Sequence, residues 1–383
     1  MQIVFLNIEI MDNNIKNITG TPAEGVDFFG RTKETEQAIE LLEDGNNLIL
    51  AAPRRVGKSS FARKLIEEMN SKGWKGHNLN LEKLYSESDF VRHFLREIKG
   101  ENWWGKDIPE KFGISVKDFS IEFNKQKQDI YREIEKELPH NENTLIVLDE
   151  LTVFFENALE EKEVKKFLEW LRGLRQESHS KIRWIFCSSI SIEHFTHKQN
   201  LSHAINDFTP FKLAELKDDE PYKLIKALSD SKNIQFSDEH INYMLVKLAW
   251  HLPFFIQILF KEIVDLVRDG KELSNKTIDI AYHNLLSIDL YFYRWTERLI
   301  SYGDEKRLAH IILNELSRTN NGKRKNQLYD LVNSELNDAE KTDVVFKPLL
   351  NLLETDGYVI NNNDKYSFRS PLLRDYWYNQ FGK

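Results

Sequence analysis

One segment constrains this chain more than any other: Ala52-Pro-Arg-Arg-Val-Gly57-Lys58-Ser59 joins an apolar run at residues 47–52 to a stretch in which Phe61, Ala62, Leu65, Ile66 and Met69 recur at helical spacing. It fits the phosphate-binding pattern G-x-x-x-x-G-K-[ST] at every defined position except the first, where Ala52 stands for glycine. A tight loop between a buried strand and a helix N-terminus points successive backbone N–H groups, and the positive end of the helix dipole, at one anion. Gly57 would let the backbone approach closely, Lys58 would reach the β- and γ-phosphates, and the Ser59 hydroxyl would ligate Mg²⁺. Pro53, Arg54, Arg55, Val56 and Ser60 complete the expected nucleotide-binding set. The bland alternative is a chance match on a turn, and the flanking strand and helix weigh against it.

A second constellation lies downstream. Leu145-Ile-Val-Leu148 is a bare apolar run of the kind buried on both faces of a parallel sheet, and it ends in Asp149-Glu150. Strand ends of this type present their side chains to the ligand crevice of an α/β sheet. Asp149 would hold Mg²⁺, directly or through water, and Glu150 would orient and polarise an attacking water. Acids here also serve as helix caps, which is the competing reading. Arg183-Trp-Ile-Phe-Cys-Ser-Ser189 ends another apolar run in hydroxyls. Ser189, or Ser188, would sense the γ-phosphate or the water, unless it merely bonds local backbone. Cys187 reads as a packing residue. Arg54, Arg55, Arg172 and Arg175 are the candidates for neutralising transition-state charge, but each reads more readily as a solvated or salt-bridged side chain, and none is singled out.

Apolar runs near 47–52, 77–81, 145–148 and 184–187, with helical periodicity over 116–138 and 161–177, predict a doubly wound α/β domain. Beyond residue 213 the pattern turns helical, over 220–229, 237–250, 253–268 and 275–288, with Ser237 as a cap and Pro253 in a first turn. From residue 305 three helices, ending with 338–355 kinked at Pro348, precede strands at 358–360 and 366–368, the order of a winged helix-turn-helix. The expected division is a lead-in at 1–27, an α/β nucleotide domain at 28–213, a helical lid at 214–302 and a winged helix at 303–383. A length of 383 residues supports such a multidomain chain.

One cysteine excludes an intramolecular disulfide framework or multi-thiolate metal site. The first ten residues lack a basic segment and are interrupted by Glu9, and no apolar stretch reaches the roughly 18 residues of a membrane span. A cytoplasmic protein without a membrane partner is therefore expected. The net charge of -8 supplies no global field for nucleic acid. The 338–355 helix sets Asp338, Glu340, Asp343 and Glu354 against Lys341 and Lys347, while Lys323-Arg-Lys325 forms a small basic cluster. A partner platform is thus placed ahead of a DNA reader for the winged helix.

Phe28-Phe-Gly-Arg31 with Glu34, the 53–59 loop, Asp149-Glu150, Ser188-Ser-Ile-Ser-Ile-Glu-His194 and the ending at 357–377 together resemble the prokaryotic archaeal-type ATPases of the AAA+/STAND P-loop group. The resemblance implies a parallel sheet with helices on both faces, a helical lid and a C-terminal winged helix. It implies that Phe29, Gly30 and Arg31 border the adenine and that Pro253 touches the base from the lid. The chain departs from the family pattern at His251, where a lid glycine is usual, and at Ser188 and Ser191, where a Gly-Ser-Ile-Gly run is usual. The expected function is an ATP- and Mg²⁺-dependent, ATP-hydrolysing switch acting on a protein partner. The alternatives are a DNA-bound ATPase and a nucleotide-binding module with little turnover, and a nucleotide-dependent homo-oligomer is left open.

Overall fold

The structure is a computed structural model that describes residues 15–100, 131, 134–177, 180–188 and 192–382. It divides into two compact units. One comprises Thr32–Arg54 and Lys58–Ala214; the other comprises Met1–Arg31, Arg55–Gly57 and Glu215–Lys383.

The first unit is an α/β layer structure. Its elements are α1 (Thr32–Glu43), β1 (Asn47–Ala51), α2 (Lys58–Ser71), β2 (Lys75–Asn80), α3 (Glu87–Lys99), β3 (Thr144–Asp149), α4 (Leu151–Ala158), α5 (Glu161–Arg175), β4 (Ile182–Cys187), α6 (Ile192–Lys198) and β5 (Phe208–Lys212). The strands form a five-stranded parallel sheet in the order β2-β3-β4-β1-β5. Side-chain alternation explains why these strands read as unbroken apolar runs. Ile49, Ile146, Leu148, Trp184 and Phe186 join one core with Phe90, Phe94, Phe154 and Phe167 of α3, α4 and α5. Their neighbours Leu48, Leu50, Leu145, Val147 and Ile185 are equally buried but stand outside that core. The period of two turns them to the opposite face, where α2 buries Phe61, Ala62, Leu65 and Met69.

Three elements of this unit are not evident from the sequence pattern. Helix α1 buries Thr35, Ala38, Ile39 and Leu42 at helical spacing beneath a strongly charged surface. Helix α3 starts at Ser86, whose side chain accepts a hydrogen bond from the Asp89 N–H. Strand β5 contains Pro210 and pairs only with β1, at the edge of the sheet, where a residue without an N–H leaves no ladder bond unmade. The helix expected over 116–138 lies outside the described residues except near its end, where 134–137 are helical.

The other unit is helical. It contains α7 (Glu220–Lys232), α8 (Asp238–Leu248), α9 (Pro253–Arg268), α10 (Asn275–Leu285) and α11 (Asp289–Arg298). Ser237 caps α8 through the His240 N–H, and Pro253 occupies the first turn of α9. The lead-in is tied to α9, with the Ile18 N–H and the Asn17 amide both bonding Gln257. After a 3-10 segment (Leu299–Glu305) follow α12 (Lys306–Ser317), β6 (Lys323–Arg324), α13 (Lys325–Leu336), α14 (Ala339–Thr355), β7 (Val359–Asn362), β8 (Lys365–Phe368) and α15 (Pro371–Phe381). The three short strands make an antiparallel sheet in the order β6-β8-β7. Pro348 lies inside α14, which continues through it as one helix. Among the described residues no helix is long and apolar enough to cross a membrane.

Candidate functional site

Strand β1 runs through the sheet between β4 and β5, and the 52–59 loop leaves its carboxyl end. Two loop residues take left-handed backbone, Arg55 at φ 63° and Gly57 at φ 99°. Glycine adopts the second value without steric cost, which is why the pattern requires it there. Lys58 opens α2 and is only 8% exposed. Its Nζ donates to the carbonyls of Ala52 at 2.8 Å and Pro53 at 3.1 Å. The ammonium is therefore held over the loop by the loop's own carbonyls. Burial pushes the Lys58 ammonium below the ordinary lysine range, Arg54 adds to this, and the negative charges of Glu150 and Asp149 oppose it.

Asp149 ends β3. Because β4 lies between β1 and β3, the sheet brings the ends of these three strands to one edge. Asp149 is 3% exposed; its carboxylate accepts from the Glu150 N–H at 3.1 Å and from the Ser59 side chain. Burial raises its pKa; the Ser59 bond and Lys58 pull the other way, and Glu150 adds to the rise. Glu150 turns the chain from β3 into α4 in left-handed backbone, φ 59° and ψ 38°, and its side chain does not cap the helix. A non-glycine residue pays sterically for that conformation, and such residues concentrate at functional sites. The paired hydroxyl and carboxylate of Ser59 and Asp149 are hard oxygen donors, few in number. That fits Mg²⁺, which binds through one or two protein ligands and keeps water and phosphate for the rest. Among the described residues no group of three or more His, Cys, Asp or Glu could hold a metal ion.

The remaining predicted residues divide. Ser188 follows β4 and bonds Thr152 of α4, accepting from its N–H at 3.3 Å and pairing with its hydroxyl. Ser189 and Ser191 lie outside the described residues. Cys187 is buried, and burial first, then Asp149, raise its thiol pKa well above the ordinary value, which suits a packing residue. Arg175 is committed elsewhere: its guanidinium bonds Asp207 at 2.7 and 2.9 Å and the Ala204 carbonyl at 2.6 Å, and lies over the rings of Phe208 and Phe186. Its side chain is fully buried, so it is not placed to meet a phosphate.

Within the helical unit, Arg31 is 2% exposed and its guanidinium donates to the Val56 carbonyl at 2.9 Å. Its backbone N–H bonds the Glu220 carboxylate, and a Cβ on Gly30 would lie 2.8 Å from the same carboxylate. Arg31 and Gly30 thus meet loop residue Val56 and α7 respectively. Phe29 and Pro253 are half-buried, and the Arg55 guanidinium lies 4.2 Å from the Phe254 ring centre. Local sequence gives no sign of Glu220 or Thr152 as partners. Glu220 lies 189 positions from Arg31, and only the fold joins them.

Compared with known families, residues 21–350 match the model of Novel STAND NTPase 1, nSTAND1. The chain belongs to the nSTAND1 family. By structure this nSTAND1 protein is similar to the Walker-type ATPase PABY2304 of Pyrococcus abyssi, at 16% identity and a TM-score of 0.65, over 94% of this chain and 99% of that one. It is also similar to the ORC2 protein of Aeropyrum pernix, solved in ADPNP–ADP complexes, at 13% identity and a TM-score of 0.53, over 91% of this chain and 93% of that one. At these identities the likeness establishes the fold, that of an AAA+-type P-loop ATPase. No curated protein matches the chain.

Proposed function

We propose that this nSTAND1 protein binds ATP with Mg²⁺ at the 52–59 loop, hydrolyses it, and uses the cycle as a conformational switch acting on a partner protein. One observation carries the reading: Lys58, Ser59, Asp149 and Glu150 converge at the carboxyl edge of one parallel sheet, with Ser59 bonded to Asp149 and both acids close enough to act on the Lys58 charge. In this arrangement Lys58 exchanges its two carbonyl partners for phosphate oxygens. Ser59 and Asp149 would hold the Mg²⁺, which when bound neutralises phosphate charge. Glu150 orients the attacking water and accepts its proton. Pro53, Arg54, Arg55, Val56, Gly57 and Ser60 supply the surrounding loop and helix start, and the family resemblance adds Phe29, Gly30, Arg31 and Pro253 to the nucleotide-binding set.

We read residues 28–213 as the nucleotide domain, 214–302 as a lid and 303–383 as a winged helix. The winged helix is best suited to a protein partner. Lys323 pairs with Glu315 at 2.5 Å, so one of the three charges in its basic cluster is already engaged, while Gln327 accepts from the backbone N–H of Arg324 at 2.9 Å. Glu150→Gln is the test of turnover. Phosphate release should fall about 100-fold or more while ATP is still bound, as expected on losing a general base. Hydrolysis at the parent rate removes Glu150 from the mechanism.

A further inference from the structure

A cavity of about 440 Å³ lies in the sheet unit, between the segment that follows β2 and the outer face of α3. Its lining includes Lys83, Tyr85, Asp89, Arg92, His93 and Arg96. Three permanent cations thus face one carboxylate, in a protein whose overall charge is -8. Arg92 and Arg96 stand four residues apart, on one side of α3. Arg92 is paired with Asp89 at 2.7 Å, which leaves the charges of Lys83 and Arg96 without a carboxylate in the lining.

His93 adds a chemical constraint. Arg96 donates to His93 Nδ1 at 3.2 Å, because a guanidinium can only donate. The neutral ring must then carry its proton on Nε2. That atom is buried and has no hydrogen-bond acceptor among the described residues. Burial, and then the Arg96 charge, hold the His93 pKa below its ordinary value, in keeping with the neutral ring. The site therefore offers cations, together with the ring of Tyr85, which is 69% exposed. The complementary ligand is an anion with several acceptor oxygens. Guanidinium pairs favour phosphate, and the volume, within the usual range of about 300–1,000 Å³ for small-molecule pockets, exceeds what a lone phosphate fills. An aromatic face beside basic groups adds a stacking surface for a base.

We propose that this cavity is a second ligand site, distinct from the 52–59 loop, for a phosphate-bearing small molecule of nucleotide size. Its elements leave β2, the far edge strand, whereas the loop leaves β1.

Calorimetric titration of the full chain with inorganic phosphate, adenosine monophosphate, uridine monophosphate, a cyclic dinucleotide and a short single-stranded oligonucleotide tests the proposal, with the parent compared against Lys58→Ala, Arg92→Gln/Arg96→Gln and Tyr85→Ala. The expected result is binding of at least one mononucleotide or dinucleotide that survives in Lys58→Ala and weakens roughly tenfold or more in Arg92→Gln/Arg96→Gln, the scale of losing charge-assisted hydrogen bonds. Tyr85 is exposed, so Tyr85→Ala leaves the fold intact and should weaken the base-bearing probes more than inorganic phosphate. Three results overturn the proposal: binding lost in Lys58→Ala and unchanged in the arginine variant, binding of the oligonucleotide alone, or no binding of any probe.

Discussion

Glu150 occupies a left-handed backbone that costs an L-residue about 1–2 kcal/mol. A carboxylate beside the equally negative Asp149 adds to that cost, since Glu150 raises the Asp149 pKa. Neither feature helps the fold. Both are explained if the residue is kept for work on a bound nucleotide. Glu150→Gly should therefore stabilise the ligand-free protein by about 0.5–1 kcal/mol, the relief of strain less the extra chain entropy of glycine, and should abolish ATP hydrolysis. Thermal denaturation reads the first effect and phosphate release the second. A lowered melting temperature would mean that the turn is not strained. Lys58 illustrates the same trade: burial lowers its pKa, yet the ammonium is retained on two carbonyls.

Among the elements, those with strong periodicity were legible. Helices α2, α5 and α9 and strands β1, β3 and β4 carry apolar patterns that hardly admit another reading, and the loop and acid pair mark their ends. Strand β5 was not legible, because Phe208-Thr-Pro-Phe-Lys212 is short and holds a proline that only an edge position tolerates. Helix α3 has a strong apolar face, but its register emerges only once Ser86 is seen as its cap. The bonds of Arg31 to Val56 and of its N–H to Glu220 are long-range and leave no local trace.

Packing between elements can be probed at Gly76 of β2, where an added Cβ would lie 2.6 Å from Ile66 Cγ2 and 3.2 Å from Ile66 Cβ. Gly76→Ala should cost about 1–3 kcal/mol in chemical denaturation, as overpacking does, and an unchanged midpoint would show that α2 yields freely. Helix α15 gives a pH signature. Burial first, and then Asp289, push the Tyr376 phenol up to about 12. A raised native pKa favours the protonated form, so its contribution is complete below the ordinary tyrosine pKa of about 10 and is lost as pH rises from there through the native value. Tyr376→Phe should lose less stability than the parent over that alkaline window, measured by urea denaturation. Equal losses would show that the Tyr376 phenol does not set the alkaline loss of stability.

At the scale of the whole molecule, stability and function draw on different charges. In the helical unit Arg298 and Asp356 form a buried pair with two contacts of 2.8 Å, and the Tyr302 hydroxyl donates to the same carboxylate at 2.8 Å. Their side chains are 3% and 6% exposed. Removing one partner strands a buried charge, so Arg298→Ala should destabilise the protein by about 3–5 kcal/mol without touching the nucleotide loop. A loss below about 1 kcal/mol would show that water reaches the pair. The charges at the sheet edge differ: burial disfavours the charged forms of Lys58 and Asp149, and the proposed function assigns both to a bound nucleotide. Calorimetric titration of ATP, with and without Mg²⁺, into the parent and Lys58→Ala tests that claim most directly. Mg²⁺ should enhance binding to the parent, and Lys58→Ala should lose affinity roughly tenfold or more, the scale of a charge-assisted contact. Equal affinity in the two proteins, or no binding by the parent, would contradict the claim.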